Sequence, residues 1–193
     1  MAQVICDMSM SLDGYVTGPN DSRENPFGDG AGMMHDWISD AATDEDRALL
    51  QEMLDGVGAI VMGRTSFDKN EGDGGWGEGG PVGDIPCFVV THHEPATSHP
   101  SIYTFVTDGV ASAVAQAKAF AGDKDISLTP GNIAGQAFAA GLVDEVRVDL
   151  VPVVFGAGVR FFGDYAGSPL LLENPQVVQG HRVTHLHYRL RKP

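Results

Sequence analysis

Positive charge is scarce in this chain. Lys and Arg together number 12 against 26 Asp and Glu, a formal net charge of −14. A surface of that sign repels nucleic-acid backbones and anionic lipid, so neither is expected as a partner. An anionic small molecule would have to be held by local cations. Cysteine is scarcer still: only Cys6 and Cys87 occur, both in apolar runs. That predicts buried, reduced thiols rather than a disulfide, and a reducing, cytoplasmic setting. No apolar stretch approaches the roughly 20 residues of a membrane-spanning helix. The first residues include Asp7 and lack the basic start and long apolar core of a signal peptide. What is present, 193 residues of which 42% are hydrophobic, is enough to bury a core in a single domain over residues 1–193. No internal repeat, low-complexity tract or linker divides the chain.

The organising stretch is Gly58-Ala59-Ile60-Val61-Met62-Gly63-Arg64-Thr65-Ser66-Phe67. Val57 to Met62 is short, apolar and bounded by glycine, hence a buried strand. Gly63 permits a sharp turn, and Ser66 falls near the first turn of a following helix, where free backbone N–H groups attract an anion. Arg64 adds a planar cationic fork suited to phosphate. The same residues also suit an ordinary strand–turn–helix corner with a surface arginine. Val61-Met62-Gly63-Arg64-Thr65-Ser66-Phe67 resembles the Gly-Arg-x-Thr segment of the dihydrofolate reductase superfamily. The likeness is greatest to the reductase domain of riboflavin-biosynthesis enzymes and its stand-alone relatives. The resemblance implies that Arg64 holds the 2′-phosphate of NADPH, with Thr65 and Ser66 near a neighbouring phosphate. Ser66 stands where the family usually has threonine.

Three further segments carry the likeness. Gln3 to Ser11 reads as the first strand, and Ser11-Leu12-Asp13-Gly14-Tyr15-Val16 is similar to a Ser-Leu-Asp-Gly-x-Ile signature. In the family this strand end and loop offer backbone groups to the nicotinamide carboxamide, which implicates Ser9 and Val16; read locally, Asp13 bonds the backbone of a tight turn. Thr129-Pro130-Gly131-Asn132-Ile133-Ala134 stands where the family has Gly-Gly-Ala-Asn-Ile-Ala. Asn132 and Ile133 are retained, while Thr129 and Pro130 replace glycines that approach the cofactor pyrophosphate. Proline donates no N–H and threonine adds bulk. Because Thr-Pro accepts the cis form at a cost of only about 0.5–1 kcal/mol, a cis bond is expected here. Val153 to Phe162, with Gly156-Ala157-Gly158, matches a glycine turn that packs near the cofactor in relatives. Adenosine contacts are implied where the strand Ile85–Thr91 ends, at Thr91 and His92.

Two carboxylates are candidates for substrate binding or proton transfer. Asp7 lies in the first strand with Ile5 and Ser9 on its own face, costly if buried unpaired; the alternative is an edge residue reaching solvent. Asp36, in the short helix expected over Met33–Ile38, stands about where dihydrofolate reductase carries its pterin-binding carboxylate, and also reads as a solvated or capping aspartate. Thr43 and Asp46 predict a capping box on a helix that ends at Gly56, to which no chemistry is assigned. An alanine-rich helix to Gly122 is expected to start from a Thr107 or Asp108 cap. Lys69–Gly83, around Trp76, reads as a flap or a dimer contact. His92-His93 and His185-x-His187 invite a metal, but adjacent strand histidines diverge; a solvated or dimer-facing surface is expected at His185 and His187. No metal site is assigned.

Strands alternating with helices predict an α/β fold with a mainly parallel central sheet flanked by helices and a C-terminal antiparallel hairpin, from Leu170–Gln179 and His181–Leu190. The resemblance makes this sheet dihydrofolate reductase-like. It further implies a homodimer and an NADPH-dependent reductase passing hydride to a small polar heterocycle, carbonyl or imine, as 5-amino-6-(5-phosphoribosylamino)uracil reductase does. A non-catalytic ligand-binding or regulatory protein on the same fold is the alternative.

Overall fold

A computed structural model describes residues 2–71, 76 and 79–191. Its centre is an eight-stranded sheet in the order β4-β3-β2-β5-β1-β6-β8-β7. The strands are β1 Val4–Ser11, β2 Val57–Gly63, β3 Cys87–Val90, β4 Tyr103–Val106, β5 Asp125–Leu128, β6 Glu145–Val151, β7 Gln176–Gly180 and β8 Val183–Arg189. Six pair in parallel from β4 to β6, and β8 runs antiparallel to both β6 and β7. The expected mainly parallel sheet with a terminal hairpin is therefore present, its hairpin strands shorter than the apolar runs suggested.

The two faces of the sheet differ in chemistry. On one, Val4 and Cys6 of β1, Val61 of β2 and Ile126 and Leu128 of β5 pack under helices α3 (Val110–Ala121) and α4 (Asn132–Ala139). Small residues on those helices, Ala113, Ala117, Ala134 and Ala137, let them lie close to the strands. On the other face, Ile60, Met62, Cys87 and Val89 pack with Phe67 of α2 (Arg64–Asn70). Beside them lie a 3-10 helix, Ala31–Ile38, and α1, Asp44–Gly56. Both cysteines are buried and free, and no described helix is long and apolar enough to cross a membrane.

Several local expectations change. The cap of α3 is Gly109, with no side-chain bond, rather than Thr107 or Asp108; its φ of 97° leaves the helix to start on backbone geometry alone. The Thr129–Pro130 bond is trans, as no described peptide bond is cis. The sharp turn is made one residue later, by Gly131 at φ 95°. Residues 72–75, 77 and 78 of the Lys69–Gly83 insert lie outside the described residues; Trp76 itself packs on the Phe67 cluster.

Candidate functional site

Sheet register creates the site. β1 pairs with β6 from Ile5 to Ser11 but with β5 only from Val4 to Cys6. β5 stops because Pro130 has no N–H with which to extend the ladder, and Thr129 N–H turns instead to Val61 C=O (3.0 Å). Ile126 N–H donates to Gln3 C=O (2.8 Å), whereas Val4 C=O accepts from Asp144 on the opposite side. Strand alternation then turns the backbone of Ser9 toward the side that β5 has vacated. A cleft results between the C-terminal ends of β1 and β2, above Thr129. Such a cleft, where successive connections leave the sheet toward opposite faces, is where open α/β sheets bind ligands.

Several residues expected from the sequence lie on the elements that border it. Arg64 opens α2 and reaches across to the end of β3. Its Nε donates to Asp68 Oδ1 (2.6 Å), and Nη1 donates to Thr91 Oγ1 (3.4 Å) and His93 C=O (3.2 Å). The guanidinium is thus held in place, about one-third exposed. Thr65 and His92 are exposed, Ser66 is half-buried and Thr91 is buried. Gly63 caps α2 without a side-chain bond, leaving the first helical N–H groups uncapped by it. Across the cleft, Ile133 is buried at the start of α4 with exposed Asn132 beside it.

The Ser-Leu-Asp-Gly turn acts as a clasp. Ser11 Oγ donates to Asp13 Oδ1 (2.7 Å), and the Asp13 carboxylate accepts from Phe155 N–H (3.2 Å) and Gly156 N–H (2.7 Å). Asp13 is therefore held below the usual carboxylate range, chiefly by the Ser11 bond. Val16 N–H donates to Val159 C=O (2.8 Å), so that donor is engaged. Gly158, at φ 139°, passes so close to Thr17 C=O that no side chain fits.

The face of the sheet opposite α3 and α4 carries a polar floor. Register places Asp7 beside Arg147 and then His187, and Ser9 beside Asp149 and then His185. Ser127 Oγ donates to Asp7 Oδ1 (2.7 Å). Burial pushes the Asp7 carboxyl up, from its ordinary 3.8 to about 6, against the opposing Ser127 bond and with nearby Asp149 adding to the rise. Trp37 of the 3-10 helix donates to Ser9 Oγ (2.9 Å). Asp36, on the same helix, is exposed, and its backbone C=O accepts from Ser39.

His185 overturns its expected solvated place. It is 1% exposed, with Nε2 2.8 Å from Asp46 Oδ1 and Nδ1 2.7 Å from Asp149 Oδ1. Both nitrogens must donate, which makes the ring an imidazolium. Burial opposes that charge, but the bonds to Asp149 and Asp46 outweigh it, and the pKa rises. Burial also opposes ionisation of Asp46, yet the bonds from His185, His181 N–H and Thr43 bring it down to about 2. The helix given no chemistry thus plants a buried carboxylate in the site region, doubling as its own capping box. Asp149 was not among the expected site residues and His185 was expected on a solvated or dimer-facing surface, although a carboxylate at Asp149, between Val148 and Leu150 of β6, was itself a signal that a partner was required. An open cleft of about 330 Å³ lies alongside, lined by Leu49, Glu52, Gln176, Val178, His185 and His187. Among the described residues no group of His, Cys, Asp and Glu could hold a metal ion.

A dinucleotide fits these residues in part. Thr129 Oγ1 is buried at the end of β5 with no partner among the described residues, while the Cα of Gly63 packs toward the Ile133 side chain, which a Cβ there would meet at 3.7 Å. Arg64 supplies the cation. Against this, Gly131 N–H is taken by Phe161 C=O (3.0 Å) and Pro130 offers none.

This architecture is that of the dihydrofolate reductase-like proteins, with the ladder between β1 and β5 ending early. Residues 2–184 match the RibD C-terminal domain, and the chain belongs to that family. The uncharacterized protein YyaP of Bacillus subtilis (strain 168) is 27% identical over 177 residues, 84% of this chain and 81% of that protein. The crystal structure of a putative riboflavin biosynthesis protein from Shewanella sp. PV-4 superposes with a TM-score of 0.66 at 19% identity, covering 100% of both chains. Dihydrofolate reductase from Enterococcus faecalis, complexed with NADP(H), gives 0.57 at 13% identity, covering 98% of this chain and 97% of its own.

Proposed function

We propose that this protein is an NADPH-dependent reductase that passes a hydride to a small polar heterocycle or a related carbonyl or imine compound. The observation that carries the reading is the cleft left where β5 stops, with the Ser9 backbone on one wall and anchored Arg64 at the other. Family membership and the NADP(H)-bound dihydrofolate reductase of the same fold support it. NADPH, when bound, supplies the hydride. Arg64 would pair with its 2′-phosphate, and Thr65, Ser66, Asn132 and Ile133 would line the phosphate path. Thr91 and His92 would lie against the adenosine, and Thr129, Pro130, Gly131 and Gly156 would border the cleft. Ser9 and Val16 would orient the carboxamide through backbone groups, Val16 through its C=O because its N–H is engaged. Asp7, half-buried and with its carboxyl pushed up to about 6, is the floor carboxyl best placed to take up and release a proton near neutrality.

Titrating NADPH into the protein tests this through quenching of Trp37 and Trp76 fluorescence. Saturation in the micromolar range supports the reductase. A flat response refutes it and favours a binding or regulatory protein on the same fold, for which Pro130 and the Asp68 carboxylate already on Arg64 Nε are the specific observations.

A further inference from the structure

The polar floor also bears on which substrate the cleft accepts. Arg147 Nε donates to Glu145 Oε1 at 2.6 Å, and exposed Arg189 lies 4.0 Å from the other oxygen of the same carboxylate. The His185 imidazolium is shared between Asp46 and Asp149. Every cation on this part of the sheet is therefore engaged by a carboxylate. Asp7 has a hydroxyl partner and no cation of its own, and Glu52 of α1 lines the adjoining cleft. From the 3-10 helix come His35, half-buried against Phe27, and exposed Asp36. From β8 comes His187; burial keeps both histidines toward the neutral form.

Asp149 stands at the middle of this set. It is beside Ser9 in register, its side chain is 19% exposed, and it bears electrostatically on Asp7, His35 and His187. One oxygen is fixed by His185, and the other accepts no hydrogen bond from the described residues.

We propose that Asp149, aimed by His185, is a substrate-contacting residue that selects a planar, uncharged or cationic ligand rich in N–H donors over a phosphate ester. Its second oxygen accepts from the ligand, and Asp7 lies diagonally across from it on β1. A phosphate placed here would meet carboxylates and no unengaged cation. His185 is a positioning residue: it touches Asp149, not the ligand. This inference deepens the reductase reading and rests on it.

The test uses the full chain at pH 7, with benzamidine as the planar N–H donor and ribose 5-phosphate as the phosphate ester, followed by ligand-observed NMR. Wild-type protein is expected to bind benzamidine, and a tenfold excess of ribose 5-phosphate is expected not to displace it. Asp149→Asn keeps an acceptor for His185 and should weaken benzamidine about tenfold or more. His185→Gln should weaken it less and alter the pH dependence of binding, a readout that a purely structural bond would not move. Absence of benzamidine binding, displacement by ribose 5-phosphate, or equal affinity in folded Asp149→Asn overturns the inference. NADPH quenching on the same samples separates the two readings. Quenching without benzamidine binding removes this inference alone, whereas benzamidine binding without quenching removes the reductase and keeps the pocket.

Discussion

Replacing Asp7 by asparagine should stabilise the protein at pH 8 and do little at pH 4. In the folded chain the carboxyl ionises near 6, against 3.8 when unfolded. The native state therefore holds the proton more tightly, and between about pH 4 and 6 stability falls as pH rises. At about 1.4 kcal/mol for each tenfold change in proton affinity, the rise from 3.8 to about 6 amounts to about 3 kcal/mol at pH 8. Asparagine keeps an oxygen for the Ser127 hydroxyl but buries an amide beside Arg147, which offsets about 1 kcal/mol or more. A net gain of about 1–2 kcal/mol remains, or several degrees in Tm for a chain of this size. Thermal melts of both proteins at pH 4, 6 and 8 measure it. The gap between the curves should open with pH. A gap that is constant, or that closes toward pH 8, would refute the burial of Asp7 as the cause.

Arg64→Ala should raise the Kd for NADPH by about tenfold or more and leave NADH nearly unaffected, since a charged hydrogen bond to the 2′-phosphate is what is lost; paired fluorescence titrations show it. Asp68→Asn should act in the opposite direction, tightening NADPH several-fold by releasing Arg64 Nε from its carboxylate. Asp46→Ala leaves the His185 cation buried without one of its partners and should cost about 3–5 kcal/mol, against about 1 kcal/mol for Thr43→Ala, which removes only the cap; urea titration separates the two. Because Asp46 is depressed to about 2, its contribution is complete above its ordinary 3.8 and is lost as pH falls toward 2, so the wild-type acid limb should flatten in Asp46→Asn. Gly158→Ala forces a side chain onto Thr17 C=O and should lower Tm by enough to unlatch the Ser11–Gly18 turn from Val159.

The parallel sheet was legible because its strands are apolar runs bounded by glycine, as at Val57–Gly63, a pattern that needs no knowledge of neighbours. The corner at Gly63-Arg64 was legible for the same reason: turn, cation and helix start are consecutive. His185 was not. Its surroundings come from β6 and α1, 36 and 139 residues away in the chain, and only strand register decides that it lies under a helix rather than in water. Asp46 was misjudged because its local role, closing the capping box with Thr43, is complete in itself and hides the second one. The Thr129–Pro130 turn looked as though it needed a rare isomer; Gly131 supplies the bend through an ordinary left-handed φ instead.

Where β5 gives out, the protein carries an unfinished rung in the interior of its sheet, away from the edge strands β4 and β7. Open edges normally lie at the rim, where they invite other chains to pair. This one is interior, flanked by β1 and β2. A flat molecule with its own amide is the shape that can complete it. Hydrogen exchange would register the difference: the Ser9 amide should trade with solvent far faster than Cys6 below it, and slow on ligand binding without any movement of the backbone.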